Sequence, residues 1–273
     1  MSIELGRIGI WQRSTVLDAD FATEVERLGY GAVWVGGSPP ADLRSVEELL
    51  DETSTIAVAT GIVNIWRADA DEVAESYRRI AEKHGDRFLL GVGVGHPEQT
   101  SRYTRPYDAL VEYLDRLDAD GVPAGGRALA ALGPAVLRLA AARSAGAHPY
   151  LTPPDHTRQA RDTMGAGPLL APEHKAVLDA DPDRARTVAR SSVAPYLRLH
   201  NYRNNLLRLG YSEADLADGG SDRLVDDLVA HGDPEAVARG VTAHLDAGAD
   251  HVCVQMLGDD PLSGYRRLAA ELL

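Results

Sequence analysis

Eight short apolar runs punctuate the chain, and each is followed by sequence with the apolar period of a helix. They fall in Arg7–Trp11, Ala32–Val35, Thr55–Ile65, Phe88–Val94, Ala128–Leu132, Ala145–Leu151, Leu169–Leu178 and His251–Met256. Between them, Phe21, Val25 and Leu28 share one helical face, as do Val73, Tyr77 and Ile80, and Leu110, Val111, Leu114 and Leu117. Asp18 or Asp20 is placed to cap the first helix, Gly29 and Gly31 to stop it, and Pro134 to open a later one at its first position.

Strands alternating with helices imply right-handed crossovers and a parallel sheet. Eight such units in about 250 residues is the count of an α/β fold of the (β/α)8 TIM-barrel type. Residues 1–273 read as one domain without a linker. Extra helical sequence over 181–230, interrupted by Pro195 and by Asn201–Asn205, predicts a helical insertion between strands seven and eight. A doubly wound open sheet is the alternative. It needs a Gly-x-Gly-x-x-Gly turn after the first strand, whereas Gln12, Arg13 and Ser14 follow Trp11.

The fourth run is the most informative. Phe88–Glu98 reads FLLGVGVGHPE, a buried strand carrying Gly91, Gly93 and Gly95 and leaving through His96. Glycine inside a strand marks a close approach to the backbone. Either a ligand lies there, or bulky neighbours in a tightly packed barrel need the room.

Composition narrows the classes. The chain has 28 basic and 41 acidic residues, a net charge of −13, which argues against wrapping nucleic acid or an anionic membrane. One cysteine, Cys253, allows no internal disulfide and reads as a small core residue. No apolar run approaches the ~20 residues of a membrane span, and the first residues lack a signal pattern, so a cytoplasmic location is expected. Aromatics make up only 5%, which predicts a core of Leu, Val, Ala and Ile with repeated packing in place of a few large anchors.

Barrel chemistry sits at the carboxyl ends of the strands. The residues expected there are Trp11 and Gln12, Gly36–Ser38, Asn64–Arg67, Gly95–Glu98, Leu132 and Gly133, His148–Thr152, Glu173 and His174, and Gln255. This ring has no carboxylate cluster for two-acid glycoside hydrolysis. His148 and His156 lack zinc-ligand spacing, so no metal site is expected, and neither a Gly-x-Ser-x-Gly elbow nor a phosphate-binding Gly-Lys-Ser/Thr loop is present. Gly133-Pro134 and Thr152-Pro153-Pro154 each open a helix. Each is either an ordinary cap or part of an anion seat.

In this order, RIGIW, YGAVWVGG, ATGIVNIW, RFLLGVGVGHPE, ALAALGP, AGAHPYL, NYRNNLLRLGY and AGADHVCVQML resemble the bacterial luciferase-like superfamily. The set is similar in particular to the actinobacterial coenzyme F420-dependent oxidoreductases within it. The resemblance implies a (β/α)8 barrel with an insertion, a deazaflavin across its mouth, a small-molecule substrate and a possible homodimer. It implies a bulge or non-prolyl cis peptide ending strand three, which maps to Val63–Ile65, with Asn64-Ile65 as the bond. Gly93, Val94 and Gly95 would follow the ring edge. Leu132, Gly133, Pro134, Tyr150 and Thr152 would complete the cofactor contacts, Gly133 and Thr152 taking the phosphate and lactyl tail. His96 occupies the position of a proton-transferring acid in relatives. Trp11, Ser38, Asn201 and Tyr202 would form the substrate pocket, with Tyr150 a further wall. One departure stands out. Many F420 users carry an acid and a histidine after strand two, where this chain has Gly36-Gly37-Ser38-Pro39-Pro40. FMN users share the barrel, so an FMN-dependent monooxygenase, or a cofactor-binding barrel without turnover, is the alternative.

Overall fold

The computed structural model describes residues 3–96 and 105–273; Pro97 and Glu98 of the glycine-rich stretch lie outside these. The strands are β1 (Ile8–Arg13), β2 (Ala32–Gly36), β3 (Ala57–Thr60), β4 (Val63–Asn64), β5 (Phe88–Gly93), β6 (Arg127–Leu129), β7 (Gly146–Ala147), β8 (Leu169–Leu170), β9 (Glu173–Val177), β10 (Val229–His231) and β11 (Val252–Met256). The α-helices between and after them are α1 (Ala19–Arg27), α2 (Arg44–Glu52), α3 (Ala70–His84), α4 (Pro106–Ala119), α5 (Pro134–Arg143), α6 (Pro154–Met164), α7 (Pro182–Val193), α8 (His200–Arg208), α9 (Glu213–Leu216), α10 (Asp222–Leu228), α11 (Pro234–Asp246) and α12 (Pro261–Leu272).

Every strand pairing is parallel. The ladder runs β11–β1–β2–β3–β5–β6–β7–β8, with β4 continuing β3 alongside β5. β8 and β9 are two pieces of one strand, parted at Ala171-Pro172, where proline has no N–H to give the ladder. On one edge Ala171 and Glu173 donate to Ala147 and Pro149; on the other, Cys253 N–H donates to the Pro172 carbonyl. The sheet thus curls back on itself as a (β/α)8 barrel. All eight apolar runs hold a barrel position, the third and seventh each in two pieces. The short β10, beside the end of β9, was expected as helix.

The helices form where the apolar period predicts them. Asp18 caps α1 through the Phe21 N–H, and α1 buries Phe21, Ala22 and Val25 against the sheet. Between β9 and β10 the chain forms α7 to α10, which pack a separate apolar cluster around Leu197, Leu206, Leu224 and Val229. Among the described residues no helix is long and apolar enough to cross a membrane.

The barrel interior departs from the expected packing. Trp34 is fully buried there, surrounded by Ala32, Ala57, Ala59, Ala128 and Ala171. With Trp11 and Leu89 of the same cluster it is a large anchor, and the alanines make room for it. His148 stacks on its ring at 4.1 Å, and Trp34 Nε1–H donates to His251 Nε2 at 3.0 Å.

β5 explains two of its glycines without a ligand. A Cβ at Gly91 would stand 1.9 Å from the Thr60 carbonyl oxygen, and one at Gly93 would stand 2.8 Å from Ala130 Cβ. Thr60 Oγ1 also bonds both the N–H and the carbonyl of Gly91, each at 2.8 Å. Gly91→Ala is therefore expected to cost about 3 kcal/mol through backbone overpacking, lowering Tm by roughly 6–12 °C in a thermal melt. An unchanged Tm would mean that the strands are not this close.

Candidate functional site

A cavity of about 800 Å3 opens at the carboxyl ends of the strands. Trp11 and Arg13 reach it from β1, Ser38 from the turn after β2, and Gly61, Ile62, Asn64 and Arg67 from around β4. Val94, Gly95 and His96 follow β5; Leu132 and Gly133 precede α5; His148 and Tyr150 follow β7. Tyr196, Asn201 and Tyr202 close it from the helices after β9. This is where ligands gather in parallel α/β barrels.

The break between β3 and β4 shapes one wall. The Gly61-Ile62 peptide is cis, which corrects the expectation of Asn64-Ile65. Asn64 and Ile65 instead stay in register with β5: Asn64 pairs with Gly93, and Ile65 N–H donates to the Gly93 carbonyl at 3.1 Å. The break falls at Gly61 because only a residue without a side chain fits there. A Cβ would meet Trp11 Nε1 at 2.6 Å and His148 Nε2 at 3.0 Å. Trp11 Nε1–H donates to the Gly61 carbonyl at 3.2 Å. Gly95, at φ 57°, leaves space that the Asn64 amide occupies.

His148 is buried and held in one tautomer. Its Nδ1–H donates to the Ala171 carbonyl at 2.8 Å, leaving Nε2 buried without a partner beside Gly61. Burial brings its pKa down to about 4, so the ring is neutral. His96 is half-buried, and its Nδ1 donates to Asn201 Oδ1 at 3.2 Å. In the neutral form of a ring held this way the basic lone pair is on Nε2. Its ring centre lies 5.3 Å from that of Tyr202.

Behind Tyr150 lies a buried ion pair. Lys175 Nζ donates to Glu173 Oε1 and to Gln255 Oε1, each at 2.8 Å, and sits 3.9 Å from the centre of the Tyr150 ring. Tyr150 donates to Gln255 Oε1 at 3.0 Å, and its hydroxyl lies 3.1 Å from that of Tyr196. Burial lowers the Lys175 pKa, with Glu173 acting in the opposite sense, and burial raises that of Tyr150 well above the phenol range. Lys175 and Gln255 lie behind the cavity lining and hold Tyr150 in one orientation.

Of the residues proposed from sequence, Trp11, Ser38, Asn64, Val94, Gly95, His96, Leu132, Gly133, Tyr150, Asn201 and Tyr202 come together around this cavity. Four do not line it. Gly93 is covered by Ala130 and Ile62, Ile65 packs against the barrel core, Pro134 opens α5, and Thr152 is buried with its Oγ1 unpartnered. Arg13, Gly61, Ile62 and Tyr196 line it without having been anticipated. Arg13 is two residues beyond the predicted strand end at Trp11, and Tyr196 follows Pro195 within sequence read as helix. Among the described residues no group of three His, Cys, Asp or Glu could hold a metal ion.

No curated protein matches the sequence. The chain superposes on an F420-dependent secondary alcohol dehydrogenase in complex with an F420–acetone adduct, at TM-score 0.76 and 14% identity over 100% of both chains. It superposes on the coenzyme F420-dependent tetrahydromethanopterin reductase of Methanopyrus kandleri at TM-score 0.72 and 15% identity, covering 100% of this chain and 99% of that one. For the FMN-bound oxygenating constituent of 3,6-diketocamphane monooxygenase from Pseudomonas putida, a type II Baeyer–Villiger monooxygenase, the TM-score is 0.71 at 14% identity, over 96% and 95% of the two chains. The chain thus shares the barrel fold of these structures, and residues 18–119 match the sequence model of the family described as luciferase-like monooxygenase.

Proposed function

We propose that the protein is a luciferase-like oxidoreductase that binds coenzyme F420 and moves a hydride between it and a small organic substrate. The observation that carries this reading is His96, fixed by Asn201 in the wall of a large cavity at the barrel mouth. The lining leaves room for a ring: Gly133 brings bare, uncovered backbone to the cavity, and His148 Nε2 is a buried acceptor with no partner. When bound, the cofactor supplies the hydride chemistry. The chain supplies the rest. Gly133, at the N-cap of α5, offers helix N–H groups to an anionic tail. Trp11 and Tyr150 wall off water, and His96 Nε2 accepts or returns the proton that accompanies hydride transfer.

Titrating the purified protein with F420 and with FMN tests the cofactor. F420 binding, followed by substrate-dependent reduction or oxidation in a panel of small alcohols, ketones and quinones, is the expected result. Tight FMN binding with none for F420 would favour the monooxygenase alternative. F420 binding with no turnover across the panel would leave a binding protein. For a substrate that turns over, His96→Gln is expected to lower kcat about 100-fold while changing F420 affinity little. An unchanged kcat would remove His96 from the chemistry.

A further inference from the structure

We infer that the substrate is a planar aromatic compound carrying an anionic group, with its ring against a wall of tyrosines and its charge on Arg13. This rests on the oxidoreductase reading above and gives it a substrate class.

The aromatic wall is continuous. Ring centres are 5.2 Å apart for Trp11 and Tyr150, 5.3 Å for Tyr150 and Tyr196, 5.2 Å for Tyr196 and Tyr202, and 5.3 Å for Tyr202 and His96. In a chain only 5% aromatic, this is a concentration of aromatic surface on one cavity. Rings at such spacings prefer offset or edge contacts with a further ring. The wall is also held still: Tyr150 is pinned by Gln255 and Lys175, and Tyr196 by Tyr150. The rings stand tilted or edge-on to one another, so a preorganised aromatic wall of this kind offers faces and edges to a further ring with little lost in ordering it.

The charge follows from what the cavity lacks. None of its described lining residues is Asp or Glu, although the chain carries a net charge of −13. Arg13 ends β1 on the cavity; its exposed guanidinium has no hydrogen-bond or ion-pair partner among the described residues, only its carbonyl accepting from Val16 and Leu17. Arg13 and Tyr196 line the same cavity. An unpaired guanidinium at an aromatic wall suits a carboxylate or phenolate, which it can bind through two parallel N–H groups. A cationic guest would meet Arg13 and Arg67 with no carboxylate to balance them.

Calorimetric titration of the full chain tests this, with and without F420 or FMN. The probe is 2-naphthoate. The comparisons are 2-naphthamide, which keeps the ring but not the charge, and cyclohexanecarboxylate, which keeps the charge but not the flat ring. Naphthoate is expected to bind at least tenfold tighter than either. Arg13→Gln should reduce naphthoate to the affinity of the amide, leaving the amide and the cofactor unchanged. Tyr196→Leu should weaken both aromatic ligands and spare cyclohexanecarboxylate. Equal affinity for naphthoate and naphthamide in the wild type overturns the inference, and this needs no variant to fold. So does an Arg13→Gln protein that keeps its naphthoate affinity, one that loses cofactor affinity instead, or an Arg67→Gln protein that loses naphthoate in its place. Cofactor binding without naphthoate preference defeats the substrate class and leaves the oxidoreductase reading. The expected naphthoate pattern with neither cofactor binding defeats the oxidoreductase reading and leaves the ligand class of the cavity. Absence of both defeats both.

Discussion

Glu173→Gln is expected to destabilise the protein by about 3–5 kcal/mol, measured by urea denaturation near neutral pH. Glu173 and Lys175 are both fully buried, two residues apart on β9 with their side chains on the same face. The carboxylate satisfies two donors at once: Lys175 Nζ through Oε1 at 2.8 Å and the Leu151 N–H through Oε2 at 3.1 Å. Glutamine has one acceptor oxygen for these two donors, and its amide N–H2 would face the other. It would also leave an ammonium in the barrel without a counter-charge, and removing one member of a buried pair costs more than removing both. Lys175→Met leaves the carboxylate stranded in the same way. The double variant Glu173→Gln/Lys175→Met keeps an acceptor for Leu151 and removes the charge, so it should be more stable than either single variant. Simple additivity in this cycle, or a Glu173→Gln loss below about 1 kcal/mol, would mean that water or relaxation screens the pair.

This ion pair also shows what a sequence hides. The barrel was legible because strand and helix periods alternate eight times, and because a buried parallel strand reads as an unbroken apolar run. His96, Trp11 and Tyr202 were legible because barrel ligand sites lie at strand exits and on the helices that cover them. Glu173 was placed at a strand exit, but nothing in its one-dimensional neighbourhood says that Lys175 pairs with it, or that Gln255, 80 residues away, completes the set. Gly91 and Gly93 show the reverse case. Their alternation left a ligand floor and tight packing both open, and the structure chooses packing: Thr60 on β3 and Ala130 just after β6 fill the space that side chains would need. The cis peptide was displaced by three residues because its position depends on where Trp11 and His148 crowd the backbone, a contact made across the barrel. Arg13 escaped notice because a charged residue at a strand end is normally solvated; only the absence of carboxylates around it gives it a role.

Acid is expected to unfold the protein well above the range in which carboxylates titrate. His148, His174 and His251 are buried, and burial brings each pKa down from 6.5 to about 4. Each is committed to a neutral tautomer by its partners. His251 Nδ1–H donates to the Gly6 carbonyl at 2.8 Å while Nε2 accepts from Trp34, so a proton on Nε2 would set two N–H groups against each other. His174 Nδ1 lies 3.0 Å from His244 Nε2, whose ring is also bonded to Thr157 at 2.7 Å, so a second proton breaks that chain as well. The sign follows from proton counting. Between about pH 4 and 6.5 the unfolded chain binds protons that the native one does not, so stability is full above 6.5 and falls as the pH drops towards 4. Each ring contributes up to about 3 kcal/mol over that window, and three together approach the whole stability of an ordinary domain. Thermal melts should therefore show a Tm that is flat from pH 7 to 8 and falls steeply from 6.5 to 4.5. His148→Phe, which keeps the stack on Trp34 and removes one titrating group, should flatten that slope by about one proton. Carboxylates such as Glu24 and Asp215, at about 2, act only at lower pH and do not confuse the reading. A Tm that holds steady from pH 7 to 5 would show that these rings accept protons in the folded protein, and that the barrel interior is wetter than its packing indicates.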